Sequence, residues 1–108
     1  MPEFIMKILS KVKKTLRQTT SDFDDEIYSY IETCCVDLQD AGILSKFFRV
    51  GSINWSPDAR ILQAIRWYCL SVFGLYNEDM EKYANAYSSL KSTLCTQRKY
   101  TMEDSDGI

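Results

Sequence analysis

Histidine is absent from the 108-residue chain, which removes the commonest general base and the commonest metal ligand together. Proline and glycine are scarce, at 2 and 4 residues, so neither a collagen-like nor a Pro/Gly-rich disordered chain is in question. No apolar run approaches the roughly 20 residues needed to span a bilayer; the best stretch, Trp67 to Tyr76, is interrupted by Ser71 and Gly74. The start, MPEFIMKILSKVKK, lacks an apolar segment followed by a small-residue cleavage site, so no secretion signal is read and an intracellular or virion setting is expected. No GxxxxGK[ST], GxGxxG, GxSxG or HExxH motif occurs. No enzymatic function, cofactor, metal or membrane association is therefore expected.

Four cysteines are present, Cys34 and Cys35 adjacent and Cys69 and Cys95 isolated, with no CxxC. Local spacing builds neither a zinc ribbon nor a redox motif. A chain that is 45% apolar and 13% aromatic has enough core-forming residues to do without staples, so free and mostly buried thiols are expected. Length and composition predict one folded domain over residues 1–108.

The net charge of -2 conceals blocks. Residues 1–20 hold Lys7, Lys11, Lys13, Lys14 and Arg17 against Glu3, whereas residues 21–45 hold Asp22, Asp24, Asp25, Glu26, Glu32, Asp37 and Asp40 with no base. Such blocks can meet within one copy or between copies. The cluster Asp22, Asp24, Asp25 and Glu26 lacks the spacing and turn glycine of a calcium loop, and reads as a helix start favoured by the dipole.

Four helices are predicted and no strand alternation is seen. The first is basic and amphipathic, burying Ile5, Ile8, Leu9, Val12 and Leu16. The second follows a cap at Ser21 or Asp22, buries Ile27, Ile31, Cys34, Leu38 and Ala41, and ends at Gly42 with Ile43 closing the cap. The third, residues 57–73, has Ser56 as cap, Pro57 in the first position and Gly74 beyond its end. Its broad apolar face, Ile61, Leu62, Ile65, Tyr68, Cys69, Val72 and Phe73, makes it the expected centre of the fold. Trp67 and Leu70 lie in its polar strip and require another surface. The fourth, capped by Asn77, presents Met80, Tyr83, Ala84, Tyr87, Leu90 and Leu94. From Thr96 to Ile108 a polar, flexible tail is expected. Pro2-Glu3-Phe4 resembles a cloning-site scar, which would make Met6 the native start and residues 1–5 foreign.

The connection from Ile43 to Ser56 is long and carries Phe47, Phe48, Val50, Ile53 and Trp55. Either it packs over the domain, with Trp67 and Leu70 as the candidate floor, or it contacts a partner.

The order of segments, LSKVKKTLR, SDFDDEIYSYIETCCVDLQDAGI, PDARILQAIRWYCLSVFG and NEDMEKYANAYSSLKSTL, resembles the small phage head-tail connector family, also described as DNA-packaging or head-completion adaptors. Asp24–Ile27 (DDEI) and the Tyr-x-Ser-Leu-Lys run of Tyr87–Lys91 carry the likeness, which spans about residues 7 to 100. The aromatic connection and the Cys34-Cys35 pair depart from that pattern. The resemblance implies an all-α virion subunit at the head-tail junction, assembled in the bacterial host cytoplasm. It implies a ring of copies, twelvefold to match the portal, docked between the portal and a tail or stopper protein. DNA would pass through the ring without sequence-specific binding.

On this view, the basic face of the first helix, or Arg60 and Arg66, meets Asp25 and Glu26 on a neighbour's second helix. Phe47, Phe48, Trp55, Trp67 and Leu70 are the candidate apolar contacts, with Arg49 beside them. Lys99 and Tyr100 are candidates for ordering on a partner. The alternative is a small nucleic-acid-associated regulatory protein that uses the basic first helix, although no base-reading helix-turn-helix is visible. A helical interaction module without a viral role is the blander option.

Overall fold

The computed structural model describes residues 2–51, 54–73 and 78–102. The chain is all-helical: α1 (Pro2–Thr15), α2 (Asp24–Asp40), a 3₁₀ turn (Ser45–Phe48), α3 (Ala59–Val72), α4 (Met80–Cys95) and a single-turn α5 (Arg98–Thr101). No strand occurs among the described residues. The molecule measures 49 × 31 × 19 Å. Its thinnest dimension is about two helix diameters, so it is a slab of helices packed two deep. Helix α3 packs against α1, α2 and α4, as its broad apolar face predicts.

The periodicity of each helix selects its buried stripe. Ile5, Ile8, Val12 and Leu16 of α1, Ile27, Ile31, Cys34 and Leu38 of α2, and Ile61, Leu62, Ile65 and Cys69 of α3 are all buried. Each large aliphatic side chain so removed from water contributes about 2 kcal/mol. Cys35 and Ala64 also enter the core, whereas Ala41, expected inside, is the exposed C-cap of α2. The stripe of α4 is shallower, since only Tyr87 and Leu94 are buried and Ala84 is exposed.

Helix ends follow local chemistry. Gly42 takes φ +112°, its amide donates to the Gln39 carbonyl at 3.0 Å and the Ile43 amide to Leu38 at 3.0 Å, the paired bonds of a Schellman stop. Helix α1 ends with the same pair, Arg17 to Lys14 at 3.1 Å and Gln18 to Lys13 at 2.9 Å, but its left-handed residue is Arg17, at φ 59°.

The expected start signals are corrected in two places. Asp58, not Ser56, caps α3: its Oδ1 accepts the Arg60 and Ile61 amides at 2.9 and 3.1 Å, and Pro57 precedes the cap. A carboxylate there outcompetes the hydroxyl two residues earlier because it faces the orphan amides of the first turn. Neither Ser21 nor Asp22 caps α2 through its side chain; a backbone turn, Asp24 amide to Ser21 carbonyl at 3.2 Å, leads into it. Helix α4 begins at Met80. Ile53, Gly74, Tyr76, Asn77 and the acidic end of the tail, Glu103, Asp104 and Asp106, lie outside the described residues.

Both ends of the chain are more deeply built in than the sequence indicates. Phe4 and Ile5, read as part of a cloning scar, are 1% and 0% exposed; an aromatic ring at that position completes the core beside the 3₁₀ turn. The polar tail expected from Thr96 is folded through residue 101, because α5 places Tyr100 inside at 2% exposure.

Candidate functional site

The described rings of the aromatic connection pack on Phe4 and Tyr100. Its 3₁₀ turn splits the two phenylalanines: Phe48 points inward, edge-on to Phe4 at 5.6 Å, while Phe47 packs on Tyr100 at 4.9 Å. Trp55 closes on the far side of Phe4 at 5.7 Å. Two expectations are thereby corrected. Phe48 and Tyr100, read as partner contacts, are buried within their own chain, since adjacent residues in a 3₁₀ turn point to different sides and each finds an internal ring. Phe47 and Trp55 are half-buried and keep an outer edge.

Three of the singled-out residues, Arg60 through its amide, Lys99 and Tyr100, meet at Asp58. The Tyr100 hydroxyl donates to its two carboxylate oxygens at 3.1 and 3.2 Å, and Lys99 Nζ stands 3.7 Å from Oδ2. Arg60, in the first turn of α3, donates from Nη1 to Gln97 Oε1 at 3.1 Å. The Leu44 amide donates to the Tyr100 carbonyl at 2.8 Å, and Phe47 covers the ring. One carboxylate thus caps α3 and clips α5 to it. Burial, with the Asp58 charge next, pushes the Tyr100 phenol above its ordinary value.

Arg49 is exposed and bonds only locally, from Nη2 to Ser45 Oγ at 3.0 Å. Trp67 and Leu70 are half-buried at the edge of the core. Arg66 is half-buried, with an enclosed Nε that has no hydrogen-bond acceptor. Asp25 and Glu26 are exposed on α2, and Glu26 accepts the Tyr30 hydroxyl at 3.0 Å. The charge blocks meet once inside the chain, where Lys13 Nζ lies 2.7 Å from the enclosed Oδ1 of Asp24.

Residue-by-residue reading missed the polar knot between α2 and α4. Asp37 Oδ2 accepts the Tyr87 hydroxyl at 2.5 Å and Lys91 Nζ at 3.0 Å. Tyr87 and Lys91 are one helical turn apart, a spacing that aims both at one acceptor; they are the first and last residues of the Tyr-x-Ser-Leu-Lys run. The Tyr87 bond lowers the Asp37 carboxyl below its usual range, and Lys91 adds to the effect. Burial raises the Tyr87 phenol in turn.

All four cysteines are free. Burial pushes Cys35 and Cys69 up to about 12 and holds Cys34 well above the ordinary thiol value, so these three are packing residues rather than nucleophiles. Among the described residues no group of three metal-binding side chains gathers, and no helix is long and apolar enough to cross a membrane.

The described surface presents exposed charges on α1 and α2 and half-buried aromatic edges on a helical slab. The family model for phage connector proteins matches residues 8–101, and the chain belongs to that family, whose members are structural components of the phage particle. No curated protein and no solved structure matches the chain.

Proposed function

We propose that the protein is a head-tail connector subunit that assembles as a ring on the portal and joins the DNA-filled head to the tail, with DNA passing through the channel. The observation that carries this reading is membership of the connector family across residues 8–101. The ring is twelvefold to match the portal, and a tail or stopper protein docks on its far side. Such a subunit makes no bonds; it works through surfaces for its neighbours. Phe47, Trp55, Trp67 and Leu70 keep partial exposure at the edge of the core and are the apolar candidates for those contacts, with Arg49 and Arg66 as the basic ones. Assembly takes place in the host cytoplasm and the product resides at the head-tail junction.

Light scattering of the protein with and without the cognate portal, followed by negative-stain imaging, tests the proposal. A ring appearing on the portal vertex supports it. Failure to associate with the portal at any concentration, together with tight, salt-resistant retention of duplex DNA, would replace it with a nucleic-acid-binding role for α1.

A further inference from the structure

We infer that the outward stripe of α1 docks on the outward stripe of α2 in a second copy of the chain, the two helices lying antiparallel. This rests on the assembly reading above and names the contact that would carry it.

Opposite its buried face, α1 exposes Lys7, Lys11 and Lys14, spaced four and three residues apart, with Met6 beside Lys7 on the same outward half of the helix. Away from the core, α2 exposes Asp25, Glu32, Val36 and Asp40 in the same manner. Within the chain the two helices share one ion pair, Lys13 with Asp24. Asp37 of α2 is held by Lys91 of α4, whereas Lys7, Lys11 and Lys14 of α1 and Asp25, Glu26, Glu32 and Asp40 of α2 form no ion pair among the described residues. Charge of one sign on each of two outward stripes cannot be matched inside a single copy, whereas a second copy matches both.

The apolar residues fix the register. Among the described residues three large hydrophobic side chains are exposed, Met6 at 69%, Val36 at 48% and Met102 at 53%. Two of these sit one on each outward face. With Met6 set against Val36 and the helices antiparallel, Lys11 lies about 7.5 Å along α1 from Met6 and Glu32 about 6 Å along α2 from Val36. Lys14 lies about 12 Å on, against about 16 Å for Asp25, a difference that a lysine side chain spans. The antiparallel arrangement also sets the negative end of the α1 dipole beside the positive end of α2. The alternative cation, Arg60, is occupied by Gln97 of its own chain. Because the two stripes differ, the contact is heterologous, and its repetition continues from copy to copy until it closes.

The test is a charge swap. One variant carries Lys11→Glu and Lys14→Glu, the other Asp25→Lys and Glu32→Lys, each checked for folding by its circular-dichroism melt. Self-association is followed by sedimentation velocity at low salt, alone and with the portal, and contacts are mapped by carbodiimide cross-linking of a 1:1 mixture of ¹⁴N- and ¹⁵N-labelled wild-type protein. Heavy–light cross-links joining Lys11 or Lys14 to Asp25 or Glu32 are expected. Each variant alone should associate at least about tenfold more weakly, and the equimolar mixture should recover wild-type association, since every α1–α2 contact between unlike variants is again of opposite charge. Association unchanged by either swap, no recovery in the mixture of folded variants, or heavy–light cross-links confined to other surfaces overturns this pairing and leaves the connector assembly standing. Absence of any association between copies, with and without the portal, removes both.

Discussion

The hydroxyl of Tyr87 donates to the same carboxylate oxygen of Asp37 that Lys91 reaches from one turn farther along α4. The edge of Tyr87 also meets the Tyr68 ring at 5.2 Å, so the tyrosine joins α2, α3 and α4. Tyr87→Phe keeps the ring and removes the bond, and is expected to lower unfolding free energy by about 1 kcal/mol. Lys91→Met should cost less, because its pair is partly exposed to solvent. Urea unfolding of the single and double variants should give a non-additive pair, since both act on one oxygen.

The same carboxylate sets an acid response. Its folded-state value is held below the unfolded one, so its contribution is complete above about pH 4 and fades as the pH falls through the lower, folded value. Asp37→Asn should flatten the decline in stability below about pH 4 relative to wild type. Thermal melts across that range measure it.

Asp58 serves two elements. Asp58→Ala should destabilise the chain by about 1 to 2 kcal/mol through the lost cap, and should also free α5. Limited trypsin digestion is expected to cut at Arg98 and Lys99 much faster in the variant than in wild type. Loss of stability without faster cleavage there would mean that Phe47 and the Leu44 amide hold α5 unaided.

Arg17 occupies a left-handed position that costs a side-chain-bearing residue about 1 kcal/mol or more. Arg17→Gly is therefore expected to raise unfolding free energy by about 0.5 to 1 kcal/mol, read as a higher urea midpoint.

The free thiols divide by burial. At pH 8 under native conditions, Cys95 should react with Ellman's reagent first and Cys34, Cys35 and Cys69 only on unfolding. Rapid release of more than one equivalent would show that the α2–α3 junction opens readily.

The helices were legible because each carries a long apolar stripe, and Gly42 marks a left-handed stop that few other residues take without strain. What the sequence concealed depends on distance in the chain. Asp58 looks like one residue among Ser56, Pro57 and Asp58, and nothing local says that a tyrosine 42 positions later will donate to it. Asp37 and Tyr87 are 50 residues apart, and neither belongs to a pattern that announces the other. The burial of Phe4 was not legible because nothing near it in the chain announces the Phe48 ring that it meets. The surplus of aromatic residues was noticed, but periodicity does not tell which of two adjacent phenylalanines turns inward.

Phe4 rests on Phe48, and Phe47 rests on Tyr100, so the earliest and latest packed aromatic rings of the chain lean on consecutive residues of one short turn. A fluorescent pair attached at Met6 and Met102 would accordingly report on that turn alone, brightening in energy transfer while it holds and dimming when either strand of the sequence peels away.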